Sequence, residues 1–147
     1  MQDELGLKIF KALQSKDTSA WIELYPTQQE YESLLRLMLE AKTDGLTPEM
    51  VNQMLAQREK EAESTFTKEF LHFLQQADSL SIDWSKAVFG KFEFIAAPTE
   101  KINIKYLTGD IWFTAAKNHF MIADIEALEF AGGYKLQAVK EIKKSDQ

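Results

Sequence analysis

The hydrophobic pattern of the chain changes its period near residue 80, and this change limits the folds that the chain can adopt. Before that point apolar residues recur three and four positions apart, as in amphipathic helices; after it they alternate with polar residues, as in half-buried strands. We therefore predict an α+β fold in which N-terminal helices pack against a C-terminal curved antiparallel meander sheet. The length of 147 residues predicts one domain, 1-147, with a helical part over 1-79 and a sheet part over 80-143.

Four helices are predicted in the first part. Thr27-Gln28-Gln29-Glu30 fits a capping box, and Thr47-Pro48 combines an N-cap hydroxyl with a proline in the first helical turn. The last helix runs from Thr47 to about Asp78 and would be roughly 45 Å long, so we expect a bend or break near Ser64 to Thr67. The charged run Arg58 to Glu63 is interpreted as a solvated face of this helix.

The second part contains five segments rich in aromatic and β-branched residues. They are Val88–Ala97, Lys101–Leu107, Asp110–Ala116, His119–Leu128 and Tyr134–Ile142. Turn-forming residues separate the segments at Pro98-Thr99, Thr108-Gly109, Lys117-Asn118 and Gly132-Gly133. Because these connections are short, the strands should pair antiparallel, four to six of them curving around the helix that ends near Ala77.

Composition excludes several classes of chemistry. The chain has no cysteine, which excludes disulfides, thiolate zinc sites and a cysteine nucleophile. With two histidines, no HExxH and no glycine-rich phosphate loop, the sequence predicts no metal and no cofactor. The net charge of -6 and the lack of a basic stripe interleaved with aromatics predict no nucleic-acid partner. No apolar run is long enough to predict a membrane span.

Asp124 is the first candidate for a catalytic role. Alternation places it on the same strand face as Phe120 and Ile122, and burial among apolar groups would raise the pKa of its carboxyl. Such a carboxyl could act as a general acid or base, with His119 or Tyr106 polarising the substrate. The alternative is that Asp124 lies at a strand end and accepts backbone or turn hydrogen bonds.

Four aromatic residues are candidates for binding a ligand. They are Trp84, Tyr106, Trp112 and Tyr134. Each combines a large apolar surface with a polar indole or phenol group, which suits the wall of a pocket. The alternative is that all four pack as ordinary sheet residues.

The predicted meander ends with the segments Gly109-Asp110-Ile111-Trp112-Phe113, Phe120-Met121-Ile122-Ala123-Asp124 and Gly132-Gly133-Tyr134-Lys135-Leu136. Helices followed by a meander with these segments resemble the cystatin-like superfold of nuclear-transport-factor-like and SnoaL-like proteins. The resemblance covers roughly residues 66 to 143. The chain is especially similar to uncharacterised small proteins of Bacteroidota, which are often exported lipoproteins. It implies a curved sheet wrapped around helices, forming a cone whose open end holds a ligand. In this superfold some members are enzymes and others are binding or dimerisation modules, and no catalytic position is carried over to this chain.

Three functional hypotheses follow. The first is a non-enzymatic binding or interaction module with an apolar pocket between sheet and helices, for a small apolar ligand or a protein partner. The second is a SnoaL-like enzyme that transfers a proton on a small carbonyl compound, with Asp124 as the base. The third is a homodimer joined through the sheet face that bears Trp112, Thr114, Met121 and Ala123.

The sequence leaves the location of the protein open between cytoplasm and periplasm. An acidic start and the absence of a thiol fit both compartments. The resemblance implies export after removal of a leader, whereas Met1 favours the cytoplasm.

Overall fold

In a computed structural model, which describes residues 2–99, 102–131 and 133–146, helices precede an open, curved, antiparallel sheet of five strands. The α-helices are α1 (Gln2–Ser15), α2 (Thr18–Ile22), α3 (Gln28–Glu40) and α4 (Pro48–Ser79), with short 3-10 helices at Thr43–Gly45 and Trp84–Lys86. The strands are β1 (Ala87–Pro98), β2 (Lys105–Ala115), β3 (Asn118–Phe130), β4 (Gly133–Ala138) and β5 (Glu141–Lys144). The predicted α+β class and the order of helices before strands are confirmed. Lys101 and Gly132, predicted as a strand start and a turn residue, lie outside the described residues.

The predicted helix starts are formed by side-chain caps. The Thr27 hydroxyl accepts a hydrogen bond from the Glu30 amide at 3.1 Å, and the Glu30 carboxylate accepts one from the Thr27 amide at 2.9 Å. At the start of α4 the Thr47 hydroxyl accepts from the Met50 amide at 3.2 Å, with Pro48 in the first turn. These contacts satisfy amides that have no partner inside the helix and fix both entry points.

Helix α4 continues without a break through 32 residues, about 48 Å at the standard rise. Of the two predicted alternatives near Ser64 to Thr67, a bend or a break, the break is therefore wrong. The helix can be longer than a single core because its two halves pack against different partners. Val51 is buried in the half that packs with α3, and Phe70 and Phe73 are buried in the other half. No helix in the described part of the chain is both long and apolar enough to cross a membrane.

The sheet has the order β1-β2-β3-β4, and β5 pairs with the part of β3 that β4 leaves free. Two predicted boundaries differ from the structure. Thr108-Gly109 lies inside β2 instead of forming a turn, and the segment predicted as one strand over 134–142 is divided into β4 and β5. The β2–β3 turn falls at Ala116 and Lys117, whose φ angles of 49° and 72° are those of a type I′ hairpin.

The core fills the space between the helices and the sheet face turned toward them. The largest fully buried side chains there include Trp21, Phe70, Phe113, Phe120, Ile111 and Ile122. Ile111, Phe113 and Ala115 share the inner face of β2, as alternation predicts. We call the opposite side of the sheet, turned away from the helices, the outer face.

Candidate functional site

A groove of about 1010 Å³ runs between α1 and α4. Its floor is formed by α2 and by the segment that links α2 to α3, and Lys135 of β4 also lines it. Apolar side chains of the lining are Ala12, Ala20, Ile22, Leu24, Tyr25, Pro26, Ala62 and Phe66. We call this space the helix groove.

The two walls of the helix groove carry charges of opposite sign. Lys8 and Lys11 line it from α1, whereas Glu59 and Glu63 line it from α4, and all four side chains are exposed. The floor beneath them is largely apolar, with Ser19, Glu23 and Thr27 as its polar side chains. The groove thus offers apolar surface to the body of a ligand and charged groups to its edges, a common arrangement in ligand sites.

Tyr25 and Phe66 form one side of the groove as a stacked pair. Their ring centroids are 3.8 Å apart and their planes are 10° from parallel. Tyr25 is buried, and its hydroxyl donates a hydrogen bond to Glu69 at 3.1 Å. Burial, reinforced by the negative charge of Glu69, raises the pKa of the Tyr25 phenol far above its ordinary value.

Arg58 fastens α4 to the segment between α2 and α3. One guanidinium nitrogen donates to the Gln28 side chain at 3.1 Å and another to the carbonyl of Pro26. The guanidinium also lies over the rings of Tyr31 and Phe66, 4.8 and 5.6 Å from their centroids. Burial lowers the pKa of Arg58 from its ordinary value. The prediction of a solvated face is therefore wrong for Arg58, because its position lies on the packed side of α4.

The alkaline titration of Tyr25 gives a prediction. The pKa of Tyr25 is higher in the folded chain than the ordinary tyrosine value of 10.0, which applies to the unfolded chain. The neutral phenol therefore stabilises the fold fully below pH 10.0, and this stabilisation is lost as the pH rises above 10.0. Urea unfolding at pH 9 and pH 11 should show the wild type losing about 1.4 kcal/mol relative to Tyr25→Phe over that interval. An unchanged difference between the two proteins at the two pH values would contradict the raised pKa.

The structure turns Asp124 away from the predicted face. Between the pairs Gly109–Ile125 and Ile111–Ile122, β3 contains one residue more than β2, which is a β-bulge. The bulge shifts the alternation by one position, so the Asp124 side chain is 65% exposed, and it forms an ion pair with Lys140 at 3.7 Å.

The backbone explains why the bulge forms at this position. Asp124 has a φ of 54°, which aspartate tolerates better than most residues. Its amide donates to the Asp110 carboxylate at 2.9 Å. The placement of Asp124 among the core residues is therefore wrong, and its catalytic role stays a prediction that this geometry does not support.

His119 and Trp112 lie near each other on the outer face. They line a shallow groove of about 370 Å³ together with Lys91 and Thr114, and Thr114 is the cross-strand partner of His119. His119 is exposed, and the Lys91 ammonium lies 5.7 Å from the centre of the Trp112 ring. His119 and Asp124 are five residues apart on β3, about 17 Å along the strand, so they do not form an acid–base pair.

Tyr106 lies toward the other end of the outer face. Its hydroxyl donates a hydrogen bond to the Glu126 carboxylate. Burial, together with this carboxylate, raises the pKa of Tyr106 to about 12. Tyr106 and Trp112 are six positions apart on β2, about 20 Å, so the two do not line one pocket.

The remaining two aromatic candidates lie on the inner side. Trp84 is buried and stacks on Phe113 with centroids 5.4 Å apart. Tyr134 is half-buried, packs against the core, and lines a cleft of about 80 Å³ with Lys8. The structure thus does not bring the four predicted aromatics together.

The helix groove was not predicted from the sequence, although one signal for it is present. Met54, Arg58, Ala62 and Phe66 recur every four residues along α4, so Arg58 lies within an apolar stripe. A charged residue in such a stripe indicates a packed cation with specific partners.

Comparisons of the chain with protein-family models, with curated proteins and with solved structures found no match.

Proposed function

We propose that the chain is a non-enzymatic binding module that holds a small, largely apolar ligand in the helix groove. The observation that carries this proposal is the half-buried Phe66 ring, which stacks on the buried Tyr25 ring and forms an aromatic wall beside a largely apolar floor. The groove volume of about 1010 Å³ is near the upper end of the range for drug-sized ligands, roughly 300–1,000 Å³.

The side chains around the helix groove favour binding over catalysis. Neither of the two histidines lines it: His72 is exposed on α4 and His119 lies on β3. The Tyr25 hydroxyl already donates to Glu69. The SnoaL-like alternative would need Asp124 in a closed pocket, and its exposed position on the bulge does not supply one.

The rim of the groove narrows the chemistry of the ligand. Lys8 and Lys11 on α1 can attract an anionic group, while the floor between the helices can cover apolar rings or a chain. A ligand with an apolar body and one anionic group would satisfy both regions. The fluorescent probe 1-anilinonaphthalene-8-sulfonate has this chemistry and brightens when it leaves water.

A fluorescence titration with this probe tests the proposal. Ala62 lines the groove and is half-buried, whereas Ala56 is exposed on the same helix and does not line it. Ala62→Gln adds a polar chain above the apolar floor, and Ala56→Gln makes the same change elsewhere on α4. We expect Ala62→Gln to weaken probe binding about tenfold, equivalent to about 1.4 kcal/mol, and Ala56→Gln to leave it within about twofold.

Unfolding curves and near-ultraviolet circular dichroism of both variants should match the wild type, since neither position is in the core. Equal effects of the two substitutions on probe binding, or no saturable binding by the folded wild type, would contradict the proposal.

A further inference from the structure

Strand β1 is an edge of the sheet. Its 12 residues pair with β2 on one side, and no other strand among the described residues lies on its other side. An edge of this length presents a row of backbone amides and carbonyls that another strand can pair with. Helix α1 packs against the inner face of β1, where Gly6 lies close to the Phe92 ring.

The outer face of β1 exposes Val88, Lys91, Glu93 and Ile95 in that order, followed by Ala97 near the end of the strand. Val88 and Ile95 are 63% and 74% exposed, the highest fractions among the exposed large apolar side chains of the described residues. Lys91 and Glu93 carry opposite charges and lie between them. The order apolar, positive, negative, apolar becomes complementary to itself when the strand is placed antiparallel to a copy.

We propose that β1 pairs antiparallel with β1 of a second copy of the chain, with Phe92 opposite its own copy at the two-fold axis. Lys91 then faces Glu93 of the other copy, and Glu93 faces Lys91, so that both cross-strand pairs are attractive. This arrangement joins two five-stranded sheets into one continuous sheet with an isologous interface.

The bulge of β1 brings the flanking apolar residues into the same register. In the pairing with β2, Phe89 and Lys91 face the adjacent residues Phe113 and Trp112, so Gly90 is the extra residue. The same skip on the free side places Val88 opposite Ile95 of the copy. The two most exposed large apolar residues of the strand thereby cover each other in both halves of the dimer.

A bulge and a lysine are also devices that keep a sheet edge from pairing. On β1, however, the charge of Lys91 is matched two residues later by Glu93, at a contact of 2.5 Å within one chain. A protective edge would leave its charge uncompensated, so that two copies repel each other. The compensated pattern favours a specific register with a second copy.

Sedimentation equilibrium of charge reversals tests the interface. Lys91→Glu or Glu93→Lys alone places like charges opposite each other twice per dimer, and we expect each to weaken dimerisation by at least about tenfold. The double variant K91E/E93K restores both attractive pairs and should return the dimer to within about threefold of the wild type. Lys60→Glu, an exposed reversal on α4, is the matched control and should leave the dimer unchanged.

The wild type should sediment at twice the monomer mass of 16.9 kDa. A wild type that stays monomeric at 100 µM, single reversals that stay as dimeric as the wild type, or a double variant that stays monomeric while folded would each overturn the proposal. The helix groove is not part of this interface, so probe binding by a monomeric variant reports on the proposed function separately.

Discussion

Replacing Trp21 with alanine should lower the free energy of unfolding by about 3–5 kcal/mol. The substitution removes the ring that packs against both Tyr25 and the aromatic side chains of α4. Trp21 is fully buried. Its ring stacks on Phe70 with centroids 5.2 Å apart and contacts Phe73 at 5.7 Å. Removing the indole leaves a cavity where α2 packs on α4, which the surrounding helices can fill only partly.

Urea unfolding at neutral pH measures the effect. A domain has a total stability of about 5–15 kcal/mol, so Trp21→Ala should move the unfolding midpoint by a large fraction of its wild-type value. The matched control is Trp112→Ala, since Trp112 is only partly buried on the outer face. We expect this control to lose at most about 2 kcal/mol, and a loss equal to that of Trp21→Ala would contradict the assignment of the core to the inner side.

Gly109→Ala should destabilise the sheet by about 1–3 kcal/mol, because the added methyl group has no space. A Cβ atom at this position would lie 2.4 Å from the carbonyl oxygen of Glu93 and 2.7 Å from the Cβ atom of Phe94. Both neighbours belong to β1, which is paired with β2 along its whole length, so they cannot move without disturbing that pairing.

Gly109→Ala distinguishes a position of residue 109 inside β2 from a position in a turn. If Thr108-Gly109 were the turn that alternation and composition predict, the methyl group would point to solvent. Thr108→Ala, at an exposed position on the neighbouring residue, serves as the control and should change stability by less than about 0.5 kcal/mol. Equal stability of Gly109→Ala and the wild type would contradict the in-strand position.

The order of elements was predictable because it depends on local signals. The caps at Thr27 and Thr47 and the change of period near residue 80 are properties of short sequence windows. The bulge at Asp124 was not predictable, because alternation has no marker for one extra residue in a strand. One inserted residue turned the principal catalytic candidate from the core to solvent.

Two features were not predicted from the sequence, and for the same reason: the uninterrupted length of α4 and the helix groove. Both depend on contacts between segments far apart in the chain: α3 packs beside the first half of α4, and Tyr25 stacks on Phe66. Periodicity identifies which face of a helix is apolar but not which partner covers it. Arg58 shows the same limit, since its partners Pro26 and Gln28 lie 32 and 30 residues away.

An amide correlation spectrum of the ¹⁵N-labelled chain, titrated with 1-anilinonaphthalene-8-sulfonate, tests most directly whether the helix groove is the binding site. We expect the amide signals of Ala20, Ala62 and Phe66, which line the groove, to move in proportion to probe occupancy. The indole signal of Trp112, beside the shallow outer groove, should stay in place. Shifts confined to Trp112 and His119, or no shift at any of these positions, would contradict binding in the helix groove.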